Sequence, residues 1–135
     1  MKKILVVIAL MLSFLLGNDA NLYIKLGYDS FQDGDYNKAL EYWNKALDIQ
    51  KEISGEKNEG VAIIYGAISS MHYNLGDYNK ALEYYNKALD IQKQILGERH
   101  PDTAKSYNSI GEIYYSLGDY NKALEYYNKA LDIRK

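Results

Sequence analysis

The 135-residue chain contains no cysteine, one proline, one tryptophan, two phenylalanines and two histidines. Without cysteine there is no disulfide framework, no thiolate zinc site and no thiol nucleophile. His72 and His100 are 28 residues apart, with no second His or Cys at ligand spacing, so no transition-metal site is expected. With Pro101 the only proline, nothing interrupts long helices before it. An excess of basic residues is also missing: 16 Lys+Arg face 18 Asp+Glu, for a formal charge of −2. The charges are interspersed, and no net basic surface is available for nucleic acid. Neither GxxxxGK[ST] nor GxGxxG occurs, so the glycines form no phosphate cradle. Asp33, Asp35 and Glu41 do not belong to a 12-residue calcium loop with its terminal Glu. No cofactor, no metal and no catalytic residue is expected; the chain does not read as an enzyme.

What is abundant is tyrosine, with 15 residues. Its ring packs in a core or groove while its hydroxyl reaches water or a partner. The other conspicuous feature is the N-terminus, MKKILVVIALMLSFLLGNDA. Lys2 and Lys3 precede an apolar run from Ile4 to Leu16, broken only by Ser13 and followed by Gly17, Asn18, Asp19 and Ala20. A membrane span needs roughly 20 apolar residues, so residues 1–20 read as a secretory signal peptide. Cleavage is expected after Ala20, with Gly17 the alternative because Asn18 is not small. The product would be periplasmic or secreted, meeting the membrane only during export. No lipobox cysteine is present. Removal of residues 1–20 leaves 14 basic against 17 acidic residues, or −3.

Residues 21–135 are a repeat. GDYNKALEYWNKALDI begins at Gly34, and GDYNKALEYYNKALDI begins at Gly76 and again at Gly118, spacings of 76 − 34 = 42 and 118 − 76 = 42. Within each copy, Tyr36, Ala39, Leu40, Trp43, Ala46, Leu47 and Gln50 follow intervals of three and four, one face of a helix. Glu41–Lys45, Glu83–Lys87 and Glu125–Lys129 are i,i+4 pairs on the solvated face. A second helix precedes each copy, carrying Tyr23, Leu26 and Gly27, then Tyr65 and Ile68, then Tyr107, Ile110, Gly111 and Tyr114. Gly34, Gly76 and Gly118 suit the left-handed end of the first helix, and the following aspartate suits the cap of the second. Pro101 suits a first helical turn. Ala39/Ala46, Ala81/Ala88 and Ala123/Ala130 lie seven apart, so their small side chains stack and let neighbouring helices approach.

This arrangement resembles the tetratricopeptide repeat (TPR). Tyr107, Ile110, Gly111, Tyr114, Ala123, Tyr127 and Ala130 match its pattern completely in the third unit. The second unit departs with Ser69 for the glycine and His72 for the tyrosine, and the first with Ser30 for the tyrosine. The 42-residue period and the joint Ile95–Ala104 are similar to the kinesin-light-chain-type subclass. The resemblance implies an all-α fold, an αα-superhelix (solenoid) of three TPR hairpins spanning about 21–54, 60–96 and 102–135.

In such arrays the first helices line a concave groove that binds a peptide or protein. The positions that the resemblance places there are Ile24, Lys25, Tyr28 and Phe31; Ile63, Gly66, Ala67, Ser70, Tyr73 and Asn74; and Lys105, Asn108, Ser109, Glu112 and Tyr115. Phe31, Tyr73 and Tyr115 are 42 apart and would form an aromatic ladder, either recognising a ligand or packing on the adjacent unit. One TPR subclass grips C-terminal carboxylates with Lys, Asn and Arg; the equivalent positions Ile24, Tyr28, Ala67, Lys105 and Ser109 fit only at Lys105. The expected function is therefore a protein-interaction scaffold with an unidentified ligand. The alternative is self-assembly through the last hairpin, where Tyr120, Leu124, Tyr127 and Leu131 should lack cover, or a truncated piece of a longer array.

Overall fold

A computed structural model describes residues 2–134, with side chains described for all of these except 2, 9, 10 and 12–18. It is all-helical, and six helices follow in order: α1 (Lys2–Gln32), α2 (Tyr36–Ser54), α3 (Glu59–Asn74), α4 (Tyr78–Ile95), α5 (Pro101–Ser116) and α6 (Tyr120–Arg134). Among the described residues no helix is long and apolar enough to cross a membrane. The helices pair as antiparallel hairpins, α1 with α2, α3 with α4 and α5 with α6.

The hairpin turns are built identically. Gly34, Gly76 and Gly118 have φ of 80°, 79° and 82°. That conformation is costly for a residue with a Cβ. The next amide then reaches back to a carbonyl five residues earlier, Asp35 to Ser30 at 2.9 Å, Asp77 to His72 at 2.8 Å and Asp119 to Tyr114 at 2.9 Å. This closes the end of the first helix. The same aspartates cap the second helices, accepting from the amides of Lys38, Lys80 and Lys122 at 3.2, 3.3 and 3.2 Å. At the inter-repeat joints Asn58 accepts from Val61 N–H at 3.0 Å, and His100 Nδ1 accepts from Asp102 N–H at 3.1 Å ahead of Pro101.

The chain divides into two compact units, residues 1–56 and 57–135. In the first, α1 runs unbroken through residues 17–20, where the sequence reading places the end of a leader. Neither Gly17 nor Asn18 is a helix breaker of proline's strength; a glycine costs about 1 kcal/mol in a helix. Ala20 is fully buried. Trp43 is the anchor of this unit, 1 % exposed, with its indole N–H donating to the Ile24 carbonyl at 3.3 Å. A Cβ at Gly27 would lie 2.2 Å from the indole nitrogen, so only glycine lets the ring sit there.

The second unit holds two hairpins, with α4 against α5. Its core joins Leu89 of α4 to Ala104, Tyr107 and Ile110 of α5 and Ala130 of α6. Ser106 of α5 donates to the Gln92 side chain of α4, and Thr103 Oγ1 to the Gly97 carbonyl at 2.9 Å. The Tyr107 phenol donates to Glu98 at 3.1 Å; burial, with that carboxylate beside it, pushes its pKa up to about 12. Ala81, Ala88, Ala123 and Ala130 are all at most 2 % exposed. Ala39 and Ala46 are equally buried in the first unit.

Candidate protein-binding groove

In the first unit, α1 presents Ile24 half-buried and Tyr28 42 % exposed, while Phe31 is half-buried. Tyr28 and Phe31 both lie against Trp43, at ring separations of 5.4 and 5.9 Å. In the second unit, α3 exposes Ile63, Ser70 and Asn74, with Tyr73 half-buried. Helix α5 exposes Lys105, Glu112 and Tyr115, with Asn108 half-buried. Lys105 pairs with Asp102 at 3.8 Å. Ala67 does not belong to this accessible set: it is 6 % exposed and part of the core.

Each of the three aromatics 42 residues apart has an aromatic neighbour within its own hairpin. Each pairs with the tyrosine that opens the second helix of its own hairpin: Phe31 with Tyr36, Tyr73 with Tyr78 and Tyr115 with Tyr120, at 5.4, 5.3 and 5.2 Å. Tyr73 makes one further link, its hydroxyl 3.1 Å from that of Ser116 on α5. Tyr115 remains 60 % exposed.

An open pocket of about 150 Å³ lies on this face of the second unit, where α3, α4 and α5 meet. It brings together five residues expected from the sequence: Ser70, Tyr73, Asn74, Ser109 and Glu112. Ile63, Lys105, Asn108 and Tyr115 are outside its lining. The remaining walls are Ser69, Tyr85 and Ile113. Tyr85 could not be expected from helix periodicity, which assigns it to the buried stripe of α4.

Ser69 explains why the pocket is there. In the third repeat a Cβ at Gly111 would lie 2.8 Å from Cε1 of Tyr127, so that ring rests on the glycine as Trp43 rests on Gly27. Ser69 has a Cβ at the equivalent position, where a ring seated as Tyr127 is on Gly111 would meet it, and Tyr85 lines the pocket with it. Its hydroxyl donates to the Ala81 carbonyl at 2.5 Å, which fixes the side chain in the buried wall. The departure from the repeat pattern was visible in the sequence; its consequence for Tyr85 was not.

The serines of this site share an orientation. Ser70 Oγ donates to the Gly66 carbonyl and Ser109 Oγ to the Lys105 carbonyl, both at 3.1 Å. With Ser69 bound to Ala81, all three hydroxyl protons are committed to backbone, and the oxygens keep free lone pairs. Glu112 is the single charged residue of the lining. Burial raises the pKa of the Tyr127 phenol, and Glu112, Tyr73 and Tyr115 nearby raise it further. Burial lowers that of His72, which stacks on Tyr84 at 5.7 Å as Tyr114 stacks on Tyr126 at 5.4 Å in the third repeat. Among the described residues no cluster of three His, Cys, Asp or Glu could hold a metal ion.

Within the second helix of each hairpin the i,i+4 pairs form as expected, Glu41–Lys45 at 3.5 Å, Glu83–Lys87 at 3.6 Å and Glu125–Lys129 at 3.7 Å. Their lysines also lie over tyrosine rings, Lys45 over Tyr23, Lys87 over Tyr65 and Tyr84, and Lys129 over Tyr107 and Tyr126, at 4.8–5.7 Å. These lysines are therefore part of the hairpin packing as well as a solvated face.

Comparison with known proteins matches this geometry. A family model described as tetratricopeptide repeat matches residues 18–94 and 64–135. No curated protein matches the chain in sequence. Among solved structures, BtubC (BKLC) from P. vanneervenii is similar at 26% identity and a TM-score of 0.79, over 85% of this chain and 46% of that one. The TPR2AB domain of yeast Sti1, in complex with pHSP90, is 25% identical with a TM-score of 0.70, over 87% of this chain and 42% of that one. A protein from Podosopora anserina described as a kinesin light chain with nearly identical TPR-like repeats shares the fold at 18% identity and a TM-score of 0.71, over 84% of this chain and 54% of that one. This chain thus spans less than half the length of the first two structures. With the family model covering nearly all of residues 18–135, the chain belongs to the tetratricopeptide-repeat family.

Proposed function

We propose that the protein is an exported interaction module that binds a peptide or protein segment on the accessible face of α3 and α5. One observation carries this reading. The face holds an open pocket with polar walls, flanked by the exposed Tyr115 and the half-buried Asn108, rather than a packed apolar surface. Exposed tyrosine beside adaptable polar groups is the composition of an interface anchor. The Sti1 domain, solved in complex with pHSP90, shows that a TPR relative can hold a partner. The carboxylate-gripping mode does not transfer, since Lys105 is the lone cation at the corresponding positions and Glu112 stands one helical turn beyond Asn108.

Export rests on the N-terminal sequence.

The test is cross-linking and affinity purification of the mature protein from its native compartment, beside an Asn108→Ala/Tyr115→Ala variant of unchanged circular dichroism. Proteins retained by the wild type and lost from the variant support the groove. Identical capture by both overturns it.

Self-association is the second reading, favoured by one comparison. The run Tyr78–Ile91 of α4 recurs unchanged as Tyr120–Ile133 of α6. In α4, Leu89 is 5 % exposed; its counterpart Leu131 in α6 is 56 % exposed, with Leu124 at 60 % and Tyr120 at 62 %. Light scattering at rising concentration distinguishes the readings: a monomer throughout removes the second.

A further inference from the structure

We propose that the pocket of the second unit receives a basic side chain, lysine or arginine, of the bound partner; this rests on the groove reading above. The argument starts from hydrogen-bond inventory. Ser70 and Ser109, the accessible serines, each spend their only proton on a backbone carbonyl, so the oxygens they offer a ligand are acceptors. Glu112 adds a carboxylate, which is acceptor-only when ionised. Among the described residues Glu112 forms no ion pair, so its charge is uncompensated at the pocket mouth. An ammonium or guanidinium carries donors and no acceptor, the complement of this wall. A carboxylate ligand would meet the like charge of Glu112, with only the Asn74 amide and the tyrosine phenols of the lining as donors.

The remaining walls fit the same guest. Tyr73 and Tyr85 contribute rings, and a cation near an aromatic face is attracted by the ring quadrupole. A pocket of about 150 Å³ has room for one long side chain and not for a folded segment. A charge-assisted bond to Glu112 at the mouth, with the aliphatic stem against the tyrosines, matches how basic side chains bury their stems while keeping the charge hydrated.

The experiment is an NMR titration of the full-length chain with three probes: N-acetyl-arginine methylamide, N-acetyl-lysine methylamide and the uncharged N-acetyl-norleucine methylamide. Saturable shifts of the amides of residues 70, 109 and 112 are expected with the two cations, and weaker ones with norleucine. Glu112→Gln should weaken cation binding roughly tenfold, the loss of one charge-assisted contact. Ser69→Gly keeps the charge but lets Tyr85 settle onto position 69, and it too should weaken binding. Equal affinity for norleucine, or cation binding unchanged in both variants, overturns the proposal. A random peptide array separates this from the groove reading. Peptides held through Tyr115 without preference for Lys or Arg would sink the pocket assignment while leaving the groove intact. Basic peptides retained by the wild type and lost from Glu112→Gln support both.

Discussion

Replacing Gly27 by alanine tests the central packing claim, that a ring of the second helix rests directly on a glycine of the first. A Cβ there would stand 2.2, 2.4 and 2.7 Å from three atoms of the Trp43 indole. The ring cannot retreat easily, being 1 % exposed and flanked by Tyr28 and Phe31. Overpacking of this kind costs ~1–3 kcal/mol. Displacing the indole also removes its hydrogen bond to Ile24, at about 1 kcal/mol. Alanine in a helix returns about 1 kcal/mol relative to glycine. The net is a destabilisation of ~1–3 kcal/mol. Trp43 is the sole tryptophan, so denaturant unfolding followed by its fluorescence reads the first unit alone. Two controls complete the series. Gly111→Ala meets Tyr127 at 2.8 Å, but that ring is half-buried and has room to swing aside, so its cost should be smaller. Gly66→Ala meets nothing within 4 Å and should stabilise by ~0.5–1 kcal/mol. If Gly27→Ala leaves the fluorescence midpoint unchanged or raises it, the indole does not sit on position 27.

Ala81, fully buried with its carbonyl held by Ser69, should not tolerate a larger side chain: Ala81→Leu is expected to cost ~1–3 kcal/mol in thermal melts. His72 introduces a pH dependence. Burial lowers its pKa; Asp77 opposes this, Lys80 adds to it and Glu83 opposes it. The unfolded chain protonates near the usual 6.5 and the folded chain only at lower pH, so this contribution is intact above pH 6.5 and is lost as pH falls through the folded value. His72→Tyr, which restores the residue found at Tyr114, should lose less stability than the wild type between pH 7.5 and pH 5 in denaturant titrations. For the α6 face, Leu124→Lys/Leu131→Lys should abolish any concentration-dependent mass seen by light scattering without loss of helicity. An oligomer that survives the double substitution uses another surface.

The hairpins were legible because their signals are local. Glycine at the turn, aspartate after it and apolar residues at intervals of three and four act within one or two turns of chain, and the threefold repetition of the string made each of them plain. The placement of Lys87 over Tyr65 and Tyr84 was not legible, since periodicity assigns a lysine to the solvated side and says nothing of the ring beneath it. The pairing of Tyr73 with Tyr78 and of Tyr115 with Tyr120 was obscured for a different reason. A spacing of 42 residues drew attention to equivalence between repeats, whereas the contact is between neighbours across a turn. The pocket was hardest to foresee because it depends on three helices at once. Its signal was the serine at position 69, read as a blemish in a family pattern rather than as a wedge.

The two repeats of the second unit divide the work of that pocket in a way duplication alone would not produce. Tyr73 and Tyr85, its rings, stand at positions where repeat two and repeat three agree, the counterparts being Tyr115 and Tyr127. Every polar wall stands where they disagree. Ser69 faces Gly111 in the alignment, Ser70 faces Glu112, Asn74 faces Ser116, and Ser109 faces Ala67. A strictly repeated array would place either two serines or two glutamates at 70 and 112, and would close the space with a ring on glycine. Helix α4 has less freedom to diverge, because it packs on α3 and on α5 and serves two interfaces. The first helices Glu59–Asn74 and Pro101–Ser116 differ at twelve of their sixteen aligned positions, and four of those differences bring polar groups to one cavity. Glu112, the one charged residue of that lining, gives the space of about 150 Å³ its acidic character.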